Sequence, residues 1–230
     1  MTNESRKVEE MSLILPKTVT KYPKIRTIFK RPSPKAKVIE GQWSLDLFEY
    51  LKDLIWEWTE KVDGMNTRVH WDGELSLDVK FGGKTDDAQM PEKLIAKLEE
   101  LFPQEKFLGR QTMTLFGEGY GQGIQKGGKY LGKDVGFILF DILIGRWWLK
   151  REAVEALGRE LEINVVPLIG HGTLMEAVEF IKRKHLLSNC FTHEMLTGDF
   201  LAEGLVLKPK IQLFQRTGQR VMTKLKHIDF

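Results

Sequence analysis

The chain contains Glu60-Lys61-Val62-Asp63-Gly64-Met65-Asn66 directly after the apolar, aromatic run LIWEWT at residues 54–59. The aromatic run favours a β-strand, and Asp63-Gly64 favours a turn directly after it. A lysine at such a point can be held against a nucleotide phosphate. To act as a nucleophile it must lose its proton, which burial or nearby positive charge assists. Taken alone, these residues are explained equally well by a surface lysine before a hairpin turn.

Four later stretches add to this one. They are LFGEG at 115–119, FILFD at 137–141, AEGLVLKP at 202–209 and RVMTKLK at 220–226. With Lys61, they stand in the order of the covalent nucleotidyltransferase motifs. Over roughly residues 21–226 the chain resembles ATP-dependent RNA ligases of the phage RNA ligase 2 type. One motif carries little information, whereas five in order with a closing Lys-x-Lys are a strong signal.

The resemblance implies a reaction in three steps. Lys61 attacks the α-phosphate of ATP, releases pyrophosphate and holds AMP through a phosphoramide bond. AMP then passes to the 5′-phosphate end of an RNA, and a 3′-hydroxyl attacks and displaces it. The phosphate chemistry implies Mg²⁺ as the cofactor beside ATP, and Mn²⁺ can substitute.

The resemblance also assigns the site residues. The catalytic set is Lys61, Lys224 and Lys226. A strand would send both C-terminal lysines to one face, where they neutralise the α-phosphate and help to depress the pKa of the nucleophile. The nucleotide-binding candidates are Glu60, Asn66, Lys84, Glu118, Phe140, Glu203, Val206 and Lys208.

Individual roles follow from side-chain chemistry within that resemblance. Glu118 is expected to accept hydrogen bonds from the ribose hydroxyls, because an ionised carboxylate only accepts. Phe140 is expected to stack on adenine, with Phe137 on the opposite face of the strand. Val206 covers the other face of the base. Glu203 either helps to hold the divalent metal or positions the nucleophile.

Three further candidates contact phosphates. Asn66 is expected to reach the phosphate end or nearby loops, and Lys208 is an additional phosphate ligand. Lys84 stands where the related ligases have an arginine, and it keeps the charge but loses the bidentate fork. Arg68 is a candidate to compensate for that loss.

Two regions are predicted along the chain. Residues 1–40 form a basic N-terminal extension, and residues 41–230 form the adenylation domain, with no C-terminal OB or helical domain. Eight Lys or Arg and no Asp or Glu lie between positions 11 and 39. That stretch either contacts RNA phosphates or is a solvated arm. Sealing would then depend on this arm or on a partner protein.

Composition excludes several other classes. Cys190 is the only cysteine, so no internal disulfide can form, which fits a cytoplasmic protein. No Cys/His set has zinc spacing, and the first ten residues lack the apolar core of a signal peptide. No apolar run approaches the roughly 20 residues of a membrane span.

The predicted fold class is α+β, with antiparallel sheets enclosing a nucleotide cleft and flanking helices, as in an ATP-grasp-like ligase adenylation domain. Strands are predicted from 56 to 81 with a tight turn at Asp72-Gly73, and over 111–118, 135–144, 203–208 and 220–226. Helices are predicted after a Ser44 cap, after Pro91, and after a capping box of Thr173 and Glu176.

Three alternative functions use the same residues. An ATP-dependent DNA ligase and a GTP-dependent RNA capping guanylyltransferase share the scaffold, although both normally carry an OB domain. A nucleic-acid-binding module without enzymatic activity would use the basic arm and exposed aromatic residues. That third reading leaves the order of Lys61, Glu118, Glu203 and the closing lysines unexplained.

Overall fold

The computed structural model describes residues 19–33, 36–74, 76–125, 130–183, 186–188, 190 and 201–230. The first 18 residues of the predicted N-terminal extension therefore lie outside the described residues. The chain divides into two compact units. The first, called the Asn66 unit, contains residues 19–22 and Asp63–Val165; the second, called the Lys61 unit, contains Pro23–Val62 and Val166–Phe230.

In chain order the elements are β1 (Arg26–Thr27), α1 (Asp46–Tyr50), β2 (Trp56–Lys61), β3 (Met65–Trp71), β4 (Val79–Gly82), α2 (Glu92–Leu101), β5 (Met113–Gly121), β6 (Val135–Ile144), β7 (Trp147–Trp148), α3 (Arg151–Glu160), β8 (Leu168–Gly172), α4 (Leu174–Arg183), β9 (Gly204–Pro209) and β10 (Thr223–Lys226). Short 3₁₀ turns lie at Gln104–Lys106 and His227–Asp229. None of these helices has the length and apolarity that crossing a bilayer requires.

Each unit is built on one five-stranded sheet. The sheet of the Asn66 unit has the order β4-β3-β5-β6-β7 and is antiparallel throughout. The sheet of the Lys61 unit has the order β1-β10-β9-β2-β8, and only its β1–β10 pair is parallel. The α+β class with antiparallel-rich sheets is therefore confirmed.

One face of the Asn66 sheet forms that unit's core against α2 and α3. Alternate strand residues such as Val69, Trp71 and Leu115 are fully buried there. A Cβ atom at Gly117 would lie 2.1 Å from the Phe137 ring, and one at Gly119 would lie 2.6 Å from Leu94. Both glycines of the Gly-Glu-Gly motif are therefore required by close packing on the core face.

The Lys61 unit has a separate core. Trp56, Leu205, Leu207 and Leu225 come from the sheet and are fully buried. The packing residues of α4 are Leu174, Ala177, Val178 and Ile181. Burying an apolar side chain of this size stabilises the folded state by roughly 1.5–3 kcal/mol. The face of β2 and β9 that carries the alternating apolar residues therefore becomes the core face.

The predicted capping box of α4 is confirmed. The Thr173 amide donates to a Glu176 carboxylate oxygen at 2.7 Å, and the Glu176 amide donates to the Thr173 hydroxyl at 3.2 Å. Both bonds satisfy amides at the helix start that have no partner within the helix. The Thr173 amide and, at 2.9 Å, the Thr173 hydroxyl both donate to the Glu176 carboxylate and hold its pKa below the ordinary value.

Two local predictions were wrong. Ser44 does not cap α1; its hydroxyl donates to the Thr27 carbonyl, and the helix begins after Leu45 without a side-chain cap. The tight turn at Asp72-Gly73 is a longer connection over 72–78, in which the Asp72 amide donates to the Asp78 carbonyl. The Gly73 amide donates to the Thr112 hydroxyl at 3.1 Å, so Gly73 is held against the residues before β5 and does not close a two-residue hairpin turn.

The segment before α1 is part of the Lys61 unit. Ile28 and Phe29 are fully buried, and β1 pairs with β10 through Arg26–Thr223 and Thr27–Lys224. The exposed side chains of this segment include the basic residues Lys24, Arg26 and Lys30. Neither the pairing of β1 with β10 nor strand β8 was predicted from the sequence.

Candidate active site

Lys61 is the last residue of β2, and strand register places it beside the centre of a charged cluster. Lys61 pairs with Gly204 on β9, and Gly204 pairs with Lys226 on β10. A Cβ at position 204 would lie 2.0 Å from the Leu225 carbonyl oxygen. Only glycine fits between the neighbouring strands here, so both lysines can converge on the carboxylate of Glu203.

The cluster is a three-residue ion pair. The Lys61 Nζ lies 2.5 Å from Glu203 Oε2, and the Lys226 Nζ bonds Glu203 Oε1. Lys61 is 19% exposed, Lys226 25% and Glu203 15%, so the cluster is reachable from solvent. Burial alone would raise the pKa of Glu203, but the two ammonium groups outweigh it and hold that pKa below the ordinary value. Glu203 is therefore ionised at neutral pH.

Three further candidates of this unit, Val206, Lys208 and Lys224, share a face with Lys61. Lys224 pairs with Val206, and Lys208 pairs with Glu57. Residues two apart on a strand point the same way, so these side chains and Lys61 lie on the face opposite the buried tryptophans. The register thus confirms that Lys224 and Lys226 lie on one side of β10.

Glu60 is not brought together with the others. It lies on the core face of β2 and is 1% exposed, because strand alternation turns it away from Lys61. Its carboxylate accepts a hydrogen bond from the Ser188 hydroxyl. The neighbouring Cys190 is half-buried, and burial raises the pKa of its thiol, with the Glu60 charge adding to the effect. Cys190 therefore remains a neutral thiol.

In the Asn66 unit, three candidates lie on the sheet face opposite the core. Asn66 on β3 pairs with Glu118 on β5, so their side chains are neighbours. The Asn66 Oδ1 atom is buried and has no hydrogen-bond partner among the described residues. A buried acceptor without a donor is uncommon and costly, and it marks a position where a ligand group could donate.

Phe140 and Phe137 lie on opposite faces of β6. Phe137 is buried in the core and meets Phe102 edge to face with ring centroids 5.2 Å apart. Phe140 is partly exposed on the other face, and its ring centroid lies 4.9 Å from that of Tyr22. Of the two rings, Phe140 is the one open to a ligand.

Arg68 does not compensate for the lysine at position 84. Its side chain is fully buried, and its guanidinium donates to the carbonyls of Gly83 at 2.8 Å and Val19 at 3.2 Å and to Asp86 at 2.9 Å. Lys84 is exposed on the loop that these bonds hold. Arg68 therefore fixes the loop and cannot reach a ligand itself.

Metal binding by protein side chains alone is not indicated. Among the described residues, no group of three or more His, Cys, Asp or Glu side chains could hold an ion. Mg²⁺ commonly takes only one or two carboxylates and completes its shell with waters and substrate phosphates. The oxygen donors of Glu203 fit that mode.

Sequence reasoning missed three residues that shape the site. Gly204 was quoted only as part of a motif, with no role assigned to it. Arg68 was proposed as a candidate ligand contact, and Tyr22 was not identified as a site residue. The sequence gives no sign of the burial of Arg68, since Val69 and Trp71 point to the opposite face of the strand. Nothing in the sequence links Tyr22 to Phe140, 118 positions later.

The fold is shared with solved RNA ligase structures. A mutant of Naegleria gruberi RNA ligase with ATP and Mn matches with a TM-score of 0.65 and 19% identity, covering 92% of this chain and 57% of that one. The same ligase with PPi matches at 0.64 and 19%, with the same coverage. A mutant with AMP and Mn matches at 0.59 and 18%, covering 89% and 61%. This chain thus spans somewhat over half the length of those proteins.

A comparison made on the sequence agrees with this structural likeness to RNA ligases. The RNA ligase family model matches residues 54–226, which include β2 through β10 and every charged residue of the Lys61 cluster. The chain belongs to the RNA ligase family.

Proposed function

We propose that this protein is an ATP-dependent RNA ligase that forms a covalent AMP intermediate on Lys61. The observation that carries the proposal is the ion-paired cluster of Lys61, Glu203 and Lys226 around Gly204. It places a solvent-accessible amine at a strand end beside further cations. Family membership and the shared fold support the same chemistry.

Glu203 acts in this proposal by holding the two lysines rather than by taking the proton. A general base works best with a pKa near the operating pH, and the pKa of Glu203 is held below its ordinary value. ATP phosphates entering the cluster compete for both ammonium groups. Lys226, and Lys224 on the same face, then neutralise the charge that develops on the α-phosphate while Lys61 attacks.

The Asn66 unit supplies the groups suited to the nucleoside. Glu118 accepts from the ribose hydroxyls, Phe140 stacks on the base, and Asn66 offers its unpartnered Oδ1. Val206 is proposed as an apolar contact to the base, and Lys208 as a phosphate ligand. Lys84 contacts phosphate as a point charge, without the fork of an arginine.

Mg²⁺ is the proposed metal, with Mn²⁺ as a substitute. The N. gruberi structures with ATP and Mn and with AMP and Mn support a divalent ion in this fold. Glu203 and the ATP phosphates would hold it, and when bound it neutralises phosphate oxygens. No other described carboxylate joins Glu203 in a ligand cluster.

The proposed substrate is RNA with a 5′-phosphate and a 3′-hydroxyl end. The exposed Lys24, Arg26 and Lys30 lie in a segment, residues 19–33, whose sequence contains no acidic residue. Such a row suits the RNA backbone, because cations that contact phosphates release condensed counterions. A partner protein remains the alternative source of end recognition.

The test is incubation with radiolabelled ATP or GTP and Mg²⁺, followed by a denaturing gel. Label from ATP that survives denaturation and disappears in Lys61→Ala supports the proposal. Glu203→Gln should slow labelling roughly tenfold to a hundredfold, since it removes a preorganised charge. Label from GTP would instead indicate a capping enzyme, and no label from either nucleotide would indicate a binding module. In a sealing assay, joining of DNA ends but not of RNA ends would indicate a DNA ligase.

A further inference from the structure

Residues 19–22, called here the N-terminal strap, lie on the face of the Asn66 sheet that carries the nucleoside-binding candidates. At one end, Arg68 of β3 donates to the Val19 carbonyl at 3.2 Å. In the middle, the Lys21 Nζ lies 2.7 Å from Asp86, which also binds Arg68. At the other end, the Tyr22 hydroxyl donates to Asp141 of β6.

The strap runs across the strands rather than along them. The strand order places β3 and β6 two spacings apart, or roughly 10 Å at about 4.8 Å per spacing. Three residue steps of extended chain, from 19 to 22, also cover roughly 10 Å. The four residues are thus long enough to bridge β3, β5 and β6, and their anchors lie at both ends.

Tyr22 is the part of the strap that touches Phe140. Their ring centroids are 4.9 Å apart at 66°. The Tyr22 ring also contacts Phe116, at 5.3 Å, and Trp148, at 5.7 Å and 86°. Tyr22 is only 8% exposed, and its hydroxyl is fixed by the buried Asp141 carboxylate. It is therefore held on every side while Phe140 remains partly open.

A break in the β5–β6 ladder explains how one tyrosine reaches two successive residues of β6. The register shifts between Phe116 and Gly117, where Phe116 pairs with Asp141 and Gly117 with Leu139. Phe140 is the residue of β6 that this shift leaves between the two paired positions. Such a bulge re-aims side chains, so Phe140 and Asp141 can both turn toward Tyr22.

We propose that the N-terminal strap belongs to the nucleotide-binding apparatus, with Tyr22 as a positioning residue that sets the orientation of the Phe140 ring against adenine. This inference rests on the proposed function, in which Phe140 stacks on the base. Edge-to-face contact selects one ring orientation among those open to a half-exposed phenylalanine. A preset ring binds the base without first having to be ordered.

The experiment measures single-turnover formation of lysine-AMP at a series of ATP concentrations, which separates half-saturating ATP from the maximal rate. Tyr22→Leu removes the ring and should raise half-saturating ATP roughly threefold to tenfold, the range of an aromatic pair. The maximal rate should change less than about twofold, because the Lys61 cluster is untouched. Inhibition by inorganic pyrophosphate, which has no base, should not change.

Tyr22→Phe separates this role from a structural one. It keeps the ring but leaves the Asp141 carboxylate without that donor, so it should lower the melting temperature while half-saturating ATP stays within about twofold of wild type. Trp147→Leu, at an exposed tryptophan of the same sheet, is the matched control and should change neither quantity. If Tyr22→Leu does not fold, Tyr22→Met, which fills the site without a ring, carries the same expectation.

A double-mutant comparison with Phe140→Leu decides the coupling. Tyr22→Leu combined with Phe140→Leu should be no worse than Phe140→Leu alone, because Tyr22 acts through that ring. Additive losses, or an unchanged half-saturating ATP in Tyr22→Leu, would overturn the inference and leave the Lys61 chemistry standing. An unaffected Phe140→Leu would overturn it together with the stacking role of Phe140. Loss of labelling in wild type would instead reject the proposed function.

Discussion

The two units both contain a carboxylate bound by two cations, and they use it differently. In the Lys61 unit, Glu203 pairs with two lysines that are 19% and 25% exposed. In the Asn66 unit, Asp86 pairs with Arg68, which is fully buried, and with Lys21. A cation that solvent can reach is available to bind a phosphate. A buried cation whose donors are all bonded to protein carbonyls and carboxylates only stabilises the fold. Of the four cations in these two clusters, only Arg68 is closed to solvent, since Lys21 is 52% exposed, so Arg68 is the one committed to structure.

The comparison is tested most severely at Gly204, which allows the open cluster to form. Gly204→Val should lower the free energy of unfolding by about 4 kcal/mol, because its side chain would collide with the Leu225 carbonyl and separate β9 from β10. Urea denaturation measures the loss. Gly170→Ala on β8 is the matched control, since its Cβ would meet only Trp58, at 3.3 Å. Equal effects of the two changes would contradict the account of Gly204.

The buried pair should have the next largest effect, and on stability rather than on chemistry. Arg68→Met should cost about 3 kcal/mol, because it strips donors from Asp86 and from two carbonyls. Arg110→Met, at an arginine that is 30% exposed and pairs with Glu160, should cost less than about 1 kcal/mol. A loss of AMP capture without loss of stability in Arg68→Met would show that this arginine contacts the nucleotide after all.

The exposed cations in the segment before α1 should contribute to RNA binding and not to AMP capture. Changing Lys24, Arg26 and Lys30 together to Gln should weaken RNA binding roughly tenfold and leave AMP capture unchanged. The slope of the logarithm of the RNA-binding constant against the logarithm of the salt concentration should fall by about two to three. Filter binding over a salt series measures both. Substitution is preferable to deletion here, because Ile28 and Phe29 of the same segment are fully buried.

The control for that triple change is a second set of exposed lysines in the other unit. Lys93, Lys133 and Lys150, changed together to Gln, remove the same charge from the Asn66 unit. RNA binding should then fall clearly less than with the first set. Equal losses would mean that total charge, and not the segment before α1, governs RNA affinity.

The smallest expected effect is on the pH dependence of stability, which should differ between His70→Gln and His171→Gln. Burial is the chief cause that lowers the pKa of His70 below 6.5, so the unfolded chain binds the proton at higher pH than the folded chain. Stability from this group is complete above pH 6.5 and is lost as pH falls through the folded-state pKa. Melting temperature against pH should flatten in that window in His70→Gln and not in His171→Gln, whose ring is exposed. A parallel change in both variants would remove His70 as the cause.

The core pattern and strand positions were largely predictable because alternation and strand length are local properties. The strand at 135–144 was predicted to the residue, and the pairing of Thr173 with Glu176 followed from spacing alone. The extent of β10 and the connection at 72–78 depended on contacts with distant backbone. Local sequence carries no signal for those contacts.

The site divides in the same way. Lys61, Glu203 and Lys226 were identified by motif order, and strand register then explains their convergence. Glu60 was misplaced because the motif gives its position but not the face to which its side chain turns. Arg68 was read as a ligand contact because its complete burial depends on Val19 and Asp86, which lie far from it in the chain.

The covalent bond between Lys61 and AMP is tested by intact-mass spectrometry after incubation with ATP and Mg²⁺. Wild type should gain about 329 Da, the mass of one AMP residue. Peptide mapping should place the added mass on Lys61, and Lys61→Arg should show no gain. An adduct on another residue, or full adenylylation of Lys61→Arg, would mean that Lys61 is not the nucleophile.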